Sequence, residues 1–304
     1  MRDIQNEEDT RKIPLQKVGV KGVKYPVTVL DKNHKTQNTT ARVDLFVNLP
    51  HNFKGTHMSR FIEVFHKYHT DITMQHFLDM LEEMRARLDA QKAYGCVEFP
   101  YFIEKKAPVT AAAGIMEYTC AYEGEVAGGI LLNKSEKTVQ RTIFSDLNDK
   151  SSLAPASELS SATPSAGSDA ARNTCSDASY RKFFVTIQVP IATLCPCSKA
   201  ISDYGAHNQR GTVKVRLLYK DFFWIEDVIS MIEDAASTPL YTLLKRKDEK
   251  YVTEHAYDNP RFVEDLVREV FLGLKKMGFE HFSVEAETDE SIHNHNAYAC
   301  AVSD

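Results

Sequence analysis

The chain has 304 residues, 43% of them hydrophobic and 26% charged, with a formal net charge of −5. That balance suits a soluble globular protein of one large domain or two, and it lacks the basic excess of a nucleic-acid binder. No run of about 18 apolar residues predicts a membrane helix, and the polar N-terminus has no apolar signal-peptide core, so a cytoplasmic protein without a membrane partner is expected.

In chain order, residues 1–24 read as a polar arm. Val27–Leu30 is a short strand, and Ala41–Leu49 alternates at period 2, the pattern of a half-buried strand. Met58, Phe61, Ile62 and Phe65 then fall at helical spacing. Met74, Phe77, Leu78, Leu81, Met84 and Leu88 predict a second helix, with Asp71 or Thr73 at its start. Strand-like runs follow near 98–105, 114–121 and 126–144, which makes 25–146 a first unit. Residues 147–178 are dominated by Ser, Ala, Asp and Thr. Such a stretch cannot bury enough apolar surface to offset its ordering entropy, and it reads as a flexible insertion.

Residues 179–304 form a second unit with the same order. Phe184–Val189 and the alternating Val213, Val215 and Leu217 are strands. Ile225, Val228, Ile229 and Ile232 mark a helix. Val263, Leu266, Val267, Val270, Phe271 and Leu274 mark a longer one, opened by Asn259-Pro260 and closed by Gly278. Phe282, Val284 and Ala286, then 296–302, are the closing strands. Both halves therefore read strand, strand, helix, helix, strand, strand, an α+β architecture with antiparallel sheet and paired helices on one face. Its open sheet edges make a homo-oligomer an expectation.

The six cysteines include Cys195 and Cys197, inside Leu-Cys-Pro-Cys-Ser-Lys at 194–199. A chain of this size needs no disulfides for its core, so they are expected to be reduced, buried or metal-bound. In an extended segment, residues two apart point the same way, so both sulfurs would line one cavity. His207 follows in a polar run, Tyr-Gly-Ala-His-Asn-Gln-Arg at 204–210. Thiolate and imidazole suit zinc, and an added carboxylate admits manganese or iron. A metal at a reacting centre makes a water nucleophile available near neutral pH.

Three acidic residues are candidates in this half. Glu249 sits in the charge run 245–250, which by itself reads as a solvated face; Glu264 opens the long helix, where a carboxylate favours the helix dipole; Glu290 precedes His293 and His295, which share a face if extended. In the first half, Lys54, His57 and Arg60 cluster at a helix start, where cations oppose the dipole and a phosphate would relieve the conflict.

Six segments, taken together and in order, resemble the prokaryotic type IB GTP cyclohydrolases. They are 49–61 (Leu-Pro-His-Asn-Phe-Lys-Gly-Thr-His-Met-Ser-Arg-Phe), 194–199, 204–210, 248–254 (Asp-Glu-Lys-Tyr-Val-Thr-Glu), 259–265 (Asn-Pro-Arg-Phe-Val-Glu-Asp) and 290–295 (Glu-Ser-Ile-His-Asn-His). The 147–178 insertion is the main departure and touches none of them. The resemblance implies a tunnelling fold of two tandem ββααββ modules per subunit, assembling into β-barrels in a homotetramer with interfacial active sites. It implies conversion of GTP and water to 7,8-dihydroneopterin triphosphate and formate, the first step of tetrahydrofolate (and queuosine-type) biosynthesis. It also implies a divalent metal (Mn²⁺, Zn²⁺ or Fe²⁺) on Cys195, His207 and Glu249, which reverses the bland reading of Glu249. Glu264 would anchor the guanine edge. Cys197 and His293 would handle protons, with Glu290 and His295 in support. Lys54, His57, Arg60, Lys199 and Arg210 are the triphosphate candidates by charge. The alternatives are a nitrile reductase or another pterin or deazapurine enzyme of the same fold, and a non-catalytic purine-binding oligomer with a structural metal.

Overall fold

The computed structural model of the protein describes residues 5, 7–128 and 179–303. The first half runs β1 (Leu15–Asp31), β2 (Lys35–Leu49), α1 (Met58–Tyr68), α2 (Met74–Arg87), β3 (Lys92–Lys106) and β4 (Ala113–Ala127). The second half runs β5 (Tyr180–Leu194), α3 (Pro196–Ile201), β6 (Asn208–Leu218), α4 (Ile225–Ala235), β7 (Thr238–Pro239), α5 (Arg246–Asp258), α6 (Val263–Lys276), β8 (Phe282–Thr288) and β9 (Ala297–Ser303). Among the described residues the strands join one nine-stranded sheet in the order β1-β2-β3-β4-β5-β6-β8-β9, with the short β7 pairing β5. Every pairing is antiparallel. This is an α+β fold built on a large antiparallel sheet.

Alternation decides which face of the sheet is covered. In β2 the inward set Ala41, Val43, Leu45, Val47 and Leu49 is buried. In β6 Val213, Val215 and Leu217 play the same part. Helix α2 lies over β3 and β4, and α4 and α6 lie over the second-half strands. α4 turns Ile225, Val228, Ile229 and Ile232 inward, and α6 turns Leu266, Val267, Val270 and Leu274 inward. Thr73 caps α2 by accepting from the His76 N–H, as expected. Gly278 follows α6 at φ 90°, the left-handed geometry that glycine adopts without steric cost.

Gly95 and Gly124 face each other across β3 and β4 beneath α2. A Cβ at Gly124 would lie 2.7 Å from Phe77 Cε1 and 2.8 Å from Leu81 Cδ1, so the close approach of α2 depends on its absence. Gly124→Val is expected to overpack this contact and destabilise the fold by about 1–3 kcal/mol, read as a lower urea midpoint.

Several expected boundaries move. Residues 15–24 belong to β1 rather than to a polar arm, because backbone pairing with β2 carries the strand past its apolar core, through two register shifts. The lysines there, Lys17, Lys21 and Lys24, are the kind that blunt an edge strand. α6 starts at Val263, not at Pro260, because Asn259 ends α5 and donates its side chain to Ala236 O at 2.9 Å. The second half carries α3, β7 and α5 beyond the expected order. The strand-like run at 126–144 is β4 through Ala127; its positions beyond 128, the 147–178 insertion and Cys175 lie outside the described residues. Among the described residues no helix is long and apolar enough to cross a membrane.

The register gives the sheet two distinct ends. At one, Leu49 pairs with Leu15, Val47 with Ala93, Ala93 with Val126, and Val126 with Arg181. At the other, Leu194 pairs with Asn208, Gly211 with Thr288, and Thr288 with Ala297. β5 spans the interval with 15 residues, about 45 Å at roughly 3.3 Å per residue.

Candidate active site

The chemistry-bearing segments of the second half collect where β5 ends and β6 begins. Cys195 follows β5, and its N–H donates to His207 O at 3.1 Å. Ser198 joins the same pair: its hydroxyl donates to Cys195 O at 3.1 Å and accepts the His207 N–H at 3.2 Å. His207 Nδ1 lies 3.0 Å from Gln209 Oε1 and 3.4 Å from Ser291 Oγ. The tautomer that donates from Nδ1 to this amide oxygen is the one that leaves the Nε2 lone pair for a metal.

The expectation that Cys195 and Cys197 share one strand face is corrected. Pro196 takes the first helical position of α3, so the chain leaves extended geometry between the two thiols. Cys195 becomes the N-cap, its sulfur accepting from Ser198 N–H at 3.4 Å, and is half-buried, whereas Cys197 is exposed. Cys120, by contrast, is fully buried in the core.

The 289–296 loop, which carries Glu290, His293 and His295, is tied to His207 through Ser291. Glu290 accepts from Thr288 Oγ1 at 3.2 Å. The two histidines do not line an extended face; the chain turns here, and their rings stack at 5.2 Å and 21°. Arg261 N–H donates to Leu194 O at 3.0 Å, which brings the start of α6, and exposed Glu264 in its first turn, to this end of the sheet. Arg210 is exposed here, and its carbonyl accepts Asp289 N–H at 2.8 Å. Lys199 is committed to the Tyr257 carbonyl and sits over that ring.

Two expected groupings are not brought together within one chain. Glu249 lies exposed in the first turn of α5, and among the described residues no three His, Cys, Asp or Glu side chains gather closely enough to hold a metal. Lys54, His57 and Arg60 lie after β2, at the sheet end opposite Cys195. Lys54 pairs with Glu7 at 2.9 Å, and Arg60 donates to Arg87 O at 3.3 Å.

Ser198, Gln209 and Ser291 escaped the reading of the sequence. Gln209 had a legible signal: it occupies an inward position of β6, in step with Val213, Val215 and Leu217, where a polar residue is out of pattern. The serines had none, since their part depends on which loops meet.

The sequence profile described as "Type I GTP cyclohydrolase folE2" matches residues 1–145 and 150–299. A GTP cyclohydrolase FolE2 of Geobacter sulfurreducens is 45% identical over 305 residues, covering 100% of this chain and 98% of that protein. One from Syntrophotalea carbinolica is 46% identical over 300 residues, covering 98% and 94%. Among solved structures, a urate oxidase from Bacillus sp. TB-90 overlays with a TM-score of 0.47 at 8% identity, covering 95% of this chain and 99% of that one, too loosely to argue from.

Proposed function

Because the chain belongs to the type I GTP cyclohydrolase folE2 family, we propose that it converts GTP and water to 7,8-dihydroneopterin triphosphate and formate, in the cytoplasm, as the entry to tetrahydrofolate synthesis. The observation that carries the site assignment is the thiol of Cys195 and the imidazole of His207, held in one hydrogen-bonded frame through Ser198.

A thiolate, an imidazole and a carboxylate suit Zn²⁺, Mn²⁺ or Fe²⁺. Cys195 and His207 fit that donor set, and Glu249 is the third donor, brought in as the site assembles. A divalent ion held there would supply a water nucleophile at neutral pH, the chemistry that attack on C8 of the purine needs. The chain's own residues do the rest. Glu264 accepts from the N–H donors of the guanine edge and fixes the base. Cys197 and His293 hold and deliver protons to the nitrogens released as the ring opens, with Glu290 and His295 beside them. Proximity of the 289–296 loop to His207 supports this grouping.

The triphosphate is assigned to Lys54, His57, Arg60, Lys199 and Arg210. The first three lie at the opposite sheet end from the last two, so both groups meet one GTP only if they come from different copies. That fits a homotetramer in which two tandem ββααββ modules per subunit close into β-barrels. The edges β1 and β9, each paired on one side only among the described residues, are available for such closure.

The test is to strip the protein of metal, supply GTP, restore Mn²⁺ or Zn²⁺, and follow formate together with oxidised-pterin fluorescence. Both products appearing only with metal support the reading. Formate without pterin means the ring opens and does not reclose, and neither product with any metal refutes the assignment. Gln209→Leu, which fills the same inward slot without an acceptor for His207, is expected to weaken metal binding about 10–100-fold by chelator competition.

A further inference from the structure

The geometry points to Asp248 as the residue that positions Glu249, a role that rests on reading Glu249 as a metal donor. Helix α5 buries only Asp248 and Ala256 along its whole length. A helix with no apolar stripe turned to the core gains little from burial, so its placement depends on polar contacts at its ends. The C-terminal end has several. Asn259 bonds Ala236 O at 2.9 Å, Arg261 N–H bonds Leu194 O at 3.0 Å, and Lys199 bonds Tyr257 O.

The first turn has one buried anchor. Asp248 Oδ1 accepts from the N–H groups of Val109 at 2.9 Å and Thr110 at 2.8 Å. Its Oδ2 accepts from Thr110 Oγ1 at 2.6 Å and from Lys245 N–H at 2.9 Å. Capping α5 needs only the Lys245 bond. The other three reach 138 or 139 residues back along the chain, to the turn between β3 and β4. That turn places Ala111 at φ 55°, a conformation that L side chains rarely adopt, next to the two N–H groups that face one carboxylate oxygen.

Glu249 is the next residue and shares this turn, its N–H bonding Lys245 O at 2.9 Å. Its carboxylate is exposed, so its direction is set by whether the turn is held. Helix ends fray when nothing holds them, and a frayed first turn would have to be ordered each time a metal binds. The first half of the chain, which supplies no metal donor, would thus orient a donor in the second half.

The experiment compares Asp248→Asn with Glu249→Gln in the full-length assembled protein. It measures Mn²⁺ dissociation constants by chelator competition, kcat against Mn²⁺ concentration, and amide exchange over 246–252. Asp248→Asn is expected to raise the Mn²⁺ Kd about 10–100-fold, the range for residues that orient metal ligands. Exchange in the first turn should be faster, and saturating Mn²⁺ should restore kcat, which a general loss of folding would not allow. An unchanged Kd overturns the proposal. If Asp248→Asn does not fold, Thr110→Val serves in its place: a smaller rise in Kd supports positioning, and none overturns it. Glu249→Gln separates the two levels. If it binds Mn²⁺ as wild type does, the donor reading itself fails; if it loses Mn²⁺ while Asp248→Asn does not, only the positioning role fails.

Discussion

Cys195→Ala is expected to lower kcat for formate and pterin release by about 10³-fold, the upper end of what one strong electrostatic stabiliser is worth at a reacting centre. The reason is local. On the proposed reading the Cys195 thiol is a metal donor at the end of β5, and Cys197 does not stand in for it, having turned away into α3; the backbone bond from Cys195 N–H to His207 O is kept by alanine. The fold should survive. The sulfur's recorded contact is a weak cap on Ser198 N–H at 3.4 Å, and losing such a cap costs about 1 kcal/mol. Inactive protein with a nearly unchanged melting temperature and lost metal stoichiometry is therefore the expected result. Retained turnover would remove Cys195 from the chemistry.

Glu264→Gln is expected to raise the KM for GTP about 100-fold with a small effect on stability. A hydrogen bond to a charged acceptor contributes about 1.5–3 kcal/mol, and the guanine edge offers the carboxylate two N–H donors, so a loss near 3 kcal/mol is expected, about a hundredfold in affinity. In the folded chain Glu264 is exposed in the first turn of α6, where its interaction with the helix dipole is worth only about 0.3–1 kcal/mol. Base selectivity provides the specific readout. ITP lacks the exocyclic amino group, so the wild-type preference for GTP over ITP should collapse in Glu264→Gln. An unchanged preference would place the guanine elsewhere.

Elements with a periodic apolar pattern were legible because their burial is written into residue spacing. β2, α4 and α6 place the expected side chains inward, and the Thr73 cap and the Gly278 terminus stand where local backbone chemistry puts them. α5 was not legible. Its residues carry almost no apolar period, and its charge run looks like a solvated surface; it is a helix held at its ends by Asp248, Asn259 and Lys199. The turn at Pro196 shows the same limit at shorter range. The proline could be read as a constraint, but only the observed entry into α3 shows that the two thiols part.

By itself, then, the sequence determined the α+β class, most elements of both halves and, through six ordered segments, the family. These follow from local spacing and from the identity of side chains. Tertiary structure decided which of the reactive residues meet. Cys195 and His207 share one frame through Ser198, and Ser291 ties the 289–296 loop to it. Lys54, His57 and Arg60 stand at the other end of the sheet. The physical reason is that strand register, and hydrogen bonds between separate loops and strand ends, depend on the whole packed chain, and no local pattern encodes them.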